Sequence, residues 1–108
     1  MIPYTVRAYF QDRAVADEWI AWLRDGHLAD VIAGGALDAE VLRMDADGAA
    51  GPEVRCEARY HFPSQEVFDA YVCHHAPRLR AEGLSRFPPE RGVRYERTIG
   101  EVEVRLGF

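Results

Sequence analysis

The chain has 108 residues, 48% of them apolar, with 18 acidic against 13 basic side chains and a formal net charge of −5. A chain of this length closes one core, so a single domain over residues 1–108 is expected. No apolar run approaches the ~20 residues that span a bilayer, and the opening segment lacks the basic-then-apolar pattern of an export signal, so a cytoplasmic location is expected. The acidic balance argues against a nucleic-acid partner, which normally needs a basic face, and all 13 basic residues are arginine, which removes Schiff-base chemistry and a lysine base.

Residues 3–10 alternate, with Tyr4, Val6, Ala8 and Phe10 on one side and Thr5, Arg7 and Tyr9 on the other, and predict a first strand. Asp12 is placed to cap a helix in which Val15, Trp19, Trp22 and Leu23 recur at three- and four-residue steps. Gly26 interrupts it, a short helical piece follows from His27, and Gly34-Gly35 supplies its C-terminal cap. Residues 37–44 predict a second strand and residues 45–52 a flexible turn. A third strand follows in "VRCEARYHF", where Val54, Cys56, Ala58, Tyr60 and Phe62 alternate with Arg55, Glu57, Arg59 and His61.

Ser64 starts a second helix with an apolar stripe of Phe68, Tyr71, Val72 and Leu79, and Pro77 is expected to kink or restart it. Alternation returns in "VRYERTIGEVEVRLGF", a fourth strand broken at Gly100 and continued by a strand-like tail. The order β-α-β-β-α-β is the ferredoxin-like plan of the α+β class, a four-stranded antiparallel sheet with two helices on one face and strand order 4-1-3-2. Helices cover only one face of such a sheet. Arg7, Glu40, Arg55, Glu57, Arg59, Arg94 and Glu96 should therefore share the other, which is open to solvent, to a second subunit's sheet or to nucleic acid. The last is disfavoured because Tyr60 and Phe62 fall on the helix-covered side.

The segment "ADEWIAWLRDGHLADVIAGGAL" resembles the Trp-x-x-Trp, His-x-x-Asp-Val and Gly pattern of a bacterial family of short ferredoxin-like proteins catalogued as a domain of unknown function. "AYVCHHAPRLR" and "ERTIGEV" are similar to its Tyr plus Ala-Pro-x-Leu segment and its closing strand. The resemblance implies a homodimer of the dimeric α+β barrel type and brings no established activity.

Chain topology gathers Tyr4, His27, His61 and Arg97 toward one edge, with Trp22 and Asp30 able to join. Asp30 lies one helical turn from His27, a spacing at which a carboxylate orients or charges an imidazole. His27 and Asp30 are thus candidate catalytic groups, and Tyr4, Trp22, His61 and Arg97 candidate contacts to a small polar or anionic metabolite, with Arg97 on the anion. The competing reading makes His27 a helix cap and Arg97 a partner of some carboxylate. No cofactor and no metal site are expected: His74-His75 diverge by about 100 degrees on a helix, and His75 falls in the apolar stripe. Cys56 and Cys73 are expected as free thiols. Two functions follow, a small-molecule binder or cofactor-independent enzyme, and a non-catalytic dimerisation or interaction module. A cavity of about 300 Å³ or more touching His27 and Arg97 would favour the first.

Overall fold

A computed structural model describes residues 1–44 and 53–107; the expected turn at 45–52 lies outside them. Four strands, β1 (Ile2–Phe10), β2 (Asp38–Met44), β3 (Val54–Phe62) and β4 (Val93–Ile99), form one antiparallel sheet ordered β2-β3-β1-β4. This is the predicted order read from the other edge, and the architecture is the α+β, ferredoxin-like one.

Each expected helix is divided in two. The first comprises α1 (Arg13–Trp22) and α2 (Leu28–Ala33), joined by a π-helical turn over Leu23–His27. Gly26, at φ 167° and ψ −33°, is outside the helical region, so the chain breaks the helical path there and α1 and α2 meet at a kink. Asp12 accepts the Ala14 N–H at 2.9 Å, and Ser64 accepts the Val67 N–H at 3.2 Å, the two N-caps that the sequence proposes. Gly35 closes α2 at φ +130°, where an added Cβ would lie 2.8 Å from Val67 Cγ1. The second helix comprises α3 (Gln65–His74) and α4 (Ala76–Arg86), restarted at His75 by Pro77 in the first turn of α4.

Two expectations are corrected. Val72 is not part of the buried stripe: Phe68 and Tyr71 set the buried face of α3, Val72 stands about 100° round the helix from Tyr71 and is exposed, and Ala76 and Leu79 carry the stripe on in α4. The stretch after Gly100 is not a strand. Gly100 N–H bonds to Pro3 O at 3.1 Å and Val102 N–H to Met1 O at 3.4 Å, two single bonds beyond the last ladder pair of Tyr4 with Ile99.

The helices lie on the face formed by Ile2, Tyr4, Ala8 and Phe10 of β1 and Cys56, Ala58, Tyr60 and Phe62 of β3, all buried. On the other face the side chains form a continuous chain of ion pairs. Glu40 meets Arg59 (3.9 Å), Arg59 meets Glu57 (2.9 Å), Glu57 meets Arg7 (2.7 Å), Arg7 meets Glu96 (3.7 Å) and Glu96 meets Arg94 (3.5 Å). Glu57 is only 3% exposed although no helix covers it. Burial pushes its carboxyl up, and the hydrogen bonds from Arg7 and Arg59 overcome this and hold it below its ordinary value. Among the described residues, no helix is long and apolar enough to cross a membrane, and Cys56 and Cys73 are free thiols.

Candidate functional site

Arg97 of β4, Val6 of β1 and Ala58 of β3 lie side by side across the sheet. Val6 and Ala58 are short, and the rows beside them carry Tyr4 with Tyr60 and Tyr95 with Ala8. Large aromatic side chains thus rim a shallow centre, and a cavity of about 40 Å³ remains beneath the helices. Trp22, Leu23 and His27 close it from the first helix, and Leu79, Arg80 and Gly83 from α4. Gly83 sets the spacing on that side, since a Cβ there would rest 3.4 Å from Trp22 Cη2.

The polar groups of the cavity are unusually placed. Arg80 donates from Nη2 to the Tyr4 hydroxyl across a long 3.4 Å, while its Nε is buried with no acceptor. Arg97 lies 5.8 Å from the centre of the Tyr95 ring, and neither arginine has an ion pair among the described residues. Burial pushes the Tyr71 hydroxyl up to about 12, with Tyr4 adding to the shift and Arg80 and Arg97 opposing it. Burial likewise raises Tyr95 to about 12, against Arg97 and a hydrogen bond with Trp19, and raises Tyr60. All three phenols therefore stay protonated near neutrality; Tyr95 donates its O–H to Phe87 O at 3.1 Å, which leaves Tyr60 and Tyr71 as the O–H donors. Two guanidiniums and neutral phenols in apolar walls are suited to an oxyanion.

His27 stacks on Trp22, with ring centres 4.2 Å apart, and its Nδ1 is buried without a partner. Burial lowers its pKa, opposed by the charges of Asp30 and Glu82 and aided by Arg78. The imidazole is consequently neutral at neutral pH and retains a lone pair. The cap expected of it would bond the last carbonyls of the first helix; among the described residues the ring makes no hydrogen bond to them, nor an N-cap bond to α2.

Trp22 and His27 also line a second, open groove of about 510 Å³ on their outer side, with Glu18, Asp25, Asp30, Glu82 and Arg86. Three of these carboxylates already hold an arginine: Glu18 with Arg91, Asp25 with Arg24 (3.2 Å) and Glu82 with Arg78 (3.2 Å).

Of the residues proposed from sequence, Tyr4, Trp22, His27 and Arg97 line the cavity. Asp30 does not reach it: it lines the outer groove and acts on His27 through its charge, with no hydrogen bond to the ring. His61 is placed elsewhere. It pairs across the sheet with Pro3 and Asp38, and its Nδ1 lies 2.9 Å from Asp38 Oδ1 on the helix-free face. Strand alternation is the reason, since Tyr60 and Phe62 occupy the helix-covered side. The expectation of about 300 Å³ is not met by the cavity, because aromatic rings fill most of that space. Arg80, Tyr60, Tyr71 and Tyr95 were not proposed from sequence. The tyrosines are legible in the alternation and the helical stripe, whereas Arg80 flanks the stripe beside Leu79, a place where a charged side chain reads as solvated.

The family model for DUF4286, a domain of unknown function, matches residues 1–101. The chain belongs to that family. No curated protein matches the sequence of this DUF4286 member. Among solved structures, it is similar to a dimeric ferredoxin-like protein from an uncultured marine organism, with TM-score 0.77 and 12% identity over 97% of both chains. A second dimeric ferredoxin-like protein from an uncultured marine organism gives 0.72 and 9% over 100% of both chains. The de novo designed protein Foldit4 gives 0.60 and 15% over 94% of this chain and 98% of its own. Identities this low establish the shared fold and nothing finer.

Proposed function

We propose that this DUF4286 protein is a homodimer that binds a small anionic metabolite in the cavity between sheet and helices, with Arg80 and Arg97 as the anion contacts. The observation that carries the reading is the buried Arg80 Nε without an acceptor. A buried, unpaired cationic donor is costly, and the cost persists where a ligand completes it. Tyr4, already bonded to Arg80, holds the guanidinium toward the cavity. Where turnover accompanies binding, His27 is the group positioned to accept a proton, since its imidazole is neutral and Nδ1 is unoccupied; Asp30 and Glu82 then stabilise the imidazolium through their charge.

The homodimer is supported by the two dimeric marine proteins of the same fold and by the helix-free face. Except for Arg55, which has no ion pair among the described residues, the charges there are paired within one chain, so a second sheet could cover the Glu40 to Arg94 row without leaving a buried ion unpartnered. The small volume of the cavity favours the alternative, a non-catalytic dimerisation module.

Isothermal titration with short monocarboxylates from acetate to hexanoate tests the binding reading. Saturable binding by wild type, lost in Arg80→Met and weakened in Arg97→Met, is expected. Absence of binding by every acid, with a dimer mass in light scattering, would leave the dimerisation module.

A further inference from the structure

Residues 101–106, Glu-Val-Glu-Val-Arg-Leu, alternate as a half-buried strand does, yet they form no strand within the single chain. Val104 and Leu106 are 79% and 88% exposed, the two most exposed large apolar side chains among the described residues. Val102 N–H bonds to Met1 O, which turns the backbone N–H and C=O groups of Glu101 and Glu103 away from that side and toward an outer neighbour. The segment thus has an apolar side with nothing to cover and a backbone edge set to pair.

The sheet has two free edges. Among the described residues β2 pairs only with β3 and β4 only with β1, so each leaves one row of backbone donors and acceptors open to an added strand. Their side chains differ. On the helix-free face β4 presents Arg94, Glu96 and Thr98, whereas β2 presents Leu42 and Met44, both half-buried, opposite Glu57 and Arg55 of β3. Of the two edges, β2 alone offers apolar neighbours to Val102 and Val104 there. Its intervening residue is Arg43, which lies on the other face and meets Asp17 at 2.5 Å. An added strand that sets Val102 and Val104 beside Leu42 and Met44, running in either direction, sets Glu103 beside Arg43. Apolar and charge matching therefore fall into step at this edge.

The chain's own β2 is out of reach of its tail. It lies three strand spacings, about 14 Å, from β4, and Glu103 stands only one residue, about 3.8 Å, beyond Val102, which its bond to Met1 holds at the β4 side. We propose that residues 101–106 of each copy add as a fifth strand to the outer edge of β2 in a second copy. Val102 and Val104 then pack on Leu42 and Met44 of the partner subunit, and Glu103 meets Arg43 of the partner subunit. The exchange is reciprocal, so the assembly closes at two copies. This rests on the homodimer reading and adds the segment and the edge that join the copies.

Sedimentation equilibrium of the full chain tests it, with circular dichroism checking the fold of each variant. Val104→Asp alters a side chain exposed in the single chain and is expected to raise the dimer Kd about 100-fold, because the burial of one valine is lost at each of two symmetric contacts. Glu103→Arg and Arg43→Glu should each raise it about ten-fold, and the Arg43→Glu/Glu103→Arg double variant should return it to within about three-fold of wild type. Dimers as tight as wild type in every variant would overturn the tail exchange while the homodimer stands. Weakening by Val104→Asp with no recovery in the double variant would overturn the placement on β2. A wild type that stays monomeric at every concentration would overturn both the exchange and the homodimer.

Discussion

Arg80→Met should make the protein more stable while removing its ligand site. The guanidinium Nε is buried without an acceptor and its one hydrogen bond, to the Tyr4 hydroxyl, is 3.4 Å long. An unsatisfied buried donor costs about 1–3 kcal/mol, and a hydrogen bond of that length returns about 0.5 kcal/mol. Methionine keeps most of the aliphatic stem and carries no donor. The net gain is about 1 kcal/mol, which for a domain of this size raises Tm by about 4 °C. Thermal and urea denaturation of wild type, Arg80→Met and the Tyr4→Phe/Arg80→Met double variant measure it, the double variant removing the phenol that the single one orphans. With a saturating carboxylate the order should reverse, because ligand at 100 times its Kd adds about 2.7 kcal/mol to wild type alone. A fall in Tm for both variants without ligand would mean that Arg80 holds the fold together, and the reasoning from its unpaired nitrogen would be wrong.

Glu57→Gln should destabilise by about 2 kcal/mol: breaking a buried ion pair costs about 3–5 kcal/mol, reduced here because the Arg7 and Arg59 side chains are 36% and 40% exposed. The check is a lower urea midpoint at unchanged m, and a loss under about 0.5 kcal/mol would remove Glu57 from the set of structural residues. Since the folded-state pKa of Glu57 lies below 4.5, its contribution is complete above that pH and is lost as pH falls through the folded value. The wild-type acid transition should therefore be steeper than that of Glu57→Gln. For His27 the folded pKa lies below 6.5, so the unfolded chain binds more protons and stability falls as pH drops beneath that value. Urea midpoints at a series of pH values should show a shallower fall in His27→Phe, and identical profiles would refute the buried neutral imidazole. Gly35→Ala combines φ +130° with a Cβ 2.8 Å from Val67 Cγ1 and should cost about 1–3 kcal/mol, against almost nothing for Gly26→Ala, whose surroundings are empty. Equal midpoints for the two variants would contradict the packing at Gly35.

Local patterns determined the framework of this protein. Period-two alternation in residues 54–62 assigned every side chain of β3 to its face, and Asp12 and Ser64 marked helix starts through the one bond each cap makes. These are properties of neighbours in the chain, and no tertiary contact overrides them. The site is different in kind. Tyr4, Trp22, His27 and Arg97 were legible as a group because antiparallel topology brings those ends together, but alternation, consistently applied, already sends His61 to the opposite face. The burial of Arg80 could not be read from sequence: it adjoins Leu79 of the apolar stripe, but a charged side chain at a stripe's flank reads as solvated, and only the approach of Tyr4 from β1 brings it inside. Nor could the paired state of Glu57, which depends on Arg7 lying opposite it across fifty residues of chain. Burial without a partner at Arg80 and burial with two at Glu57 are settled only when separate segments pack, because the cost of removing a charge from water depends on which groups replace that water.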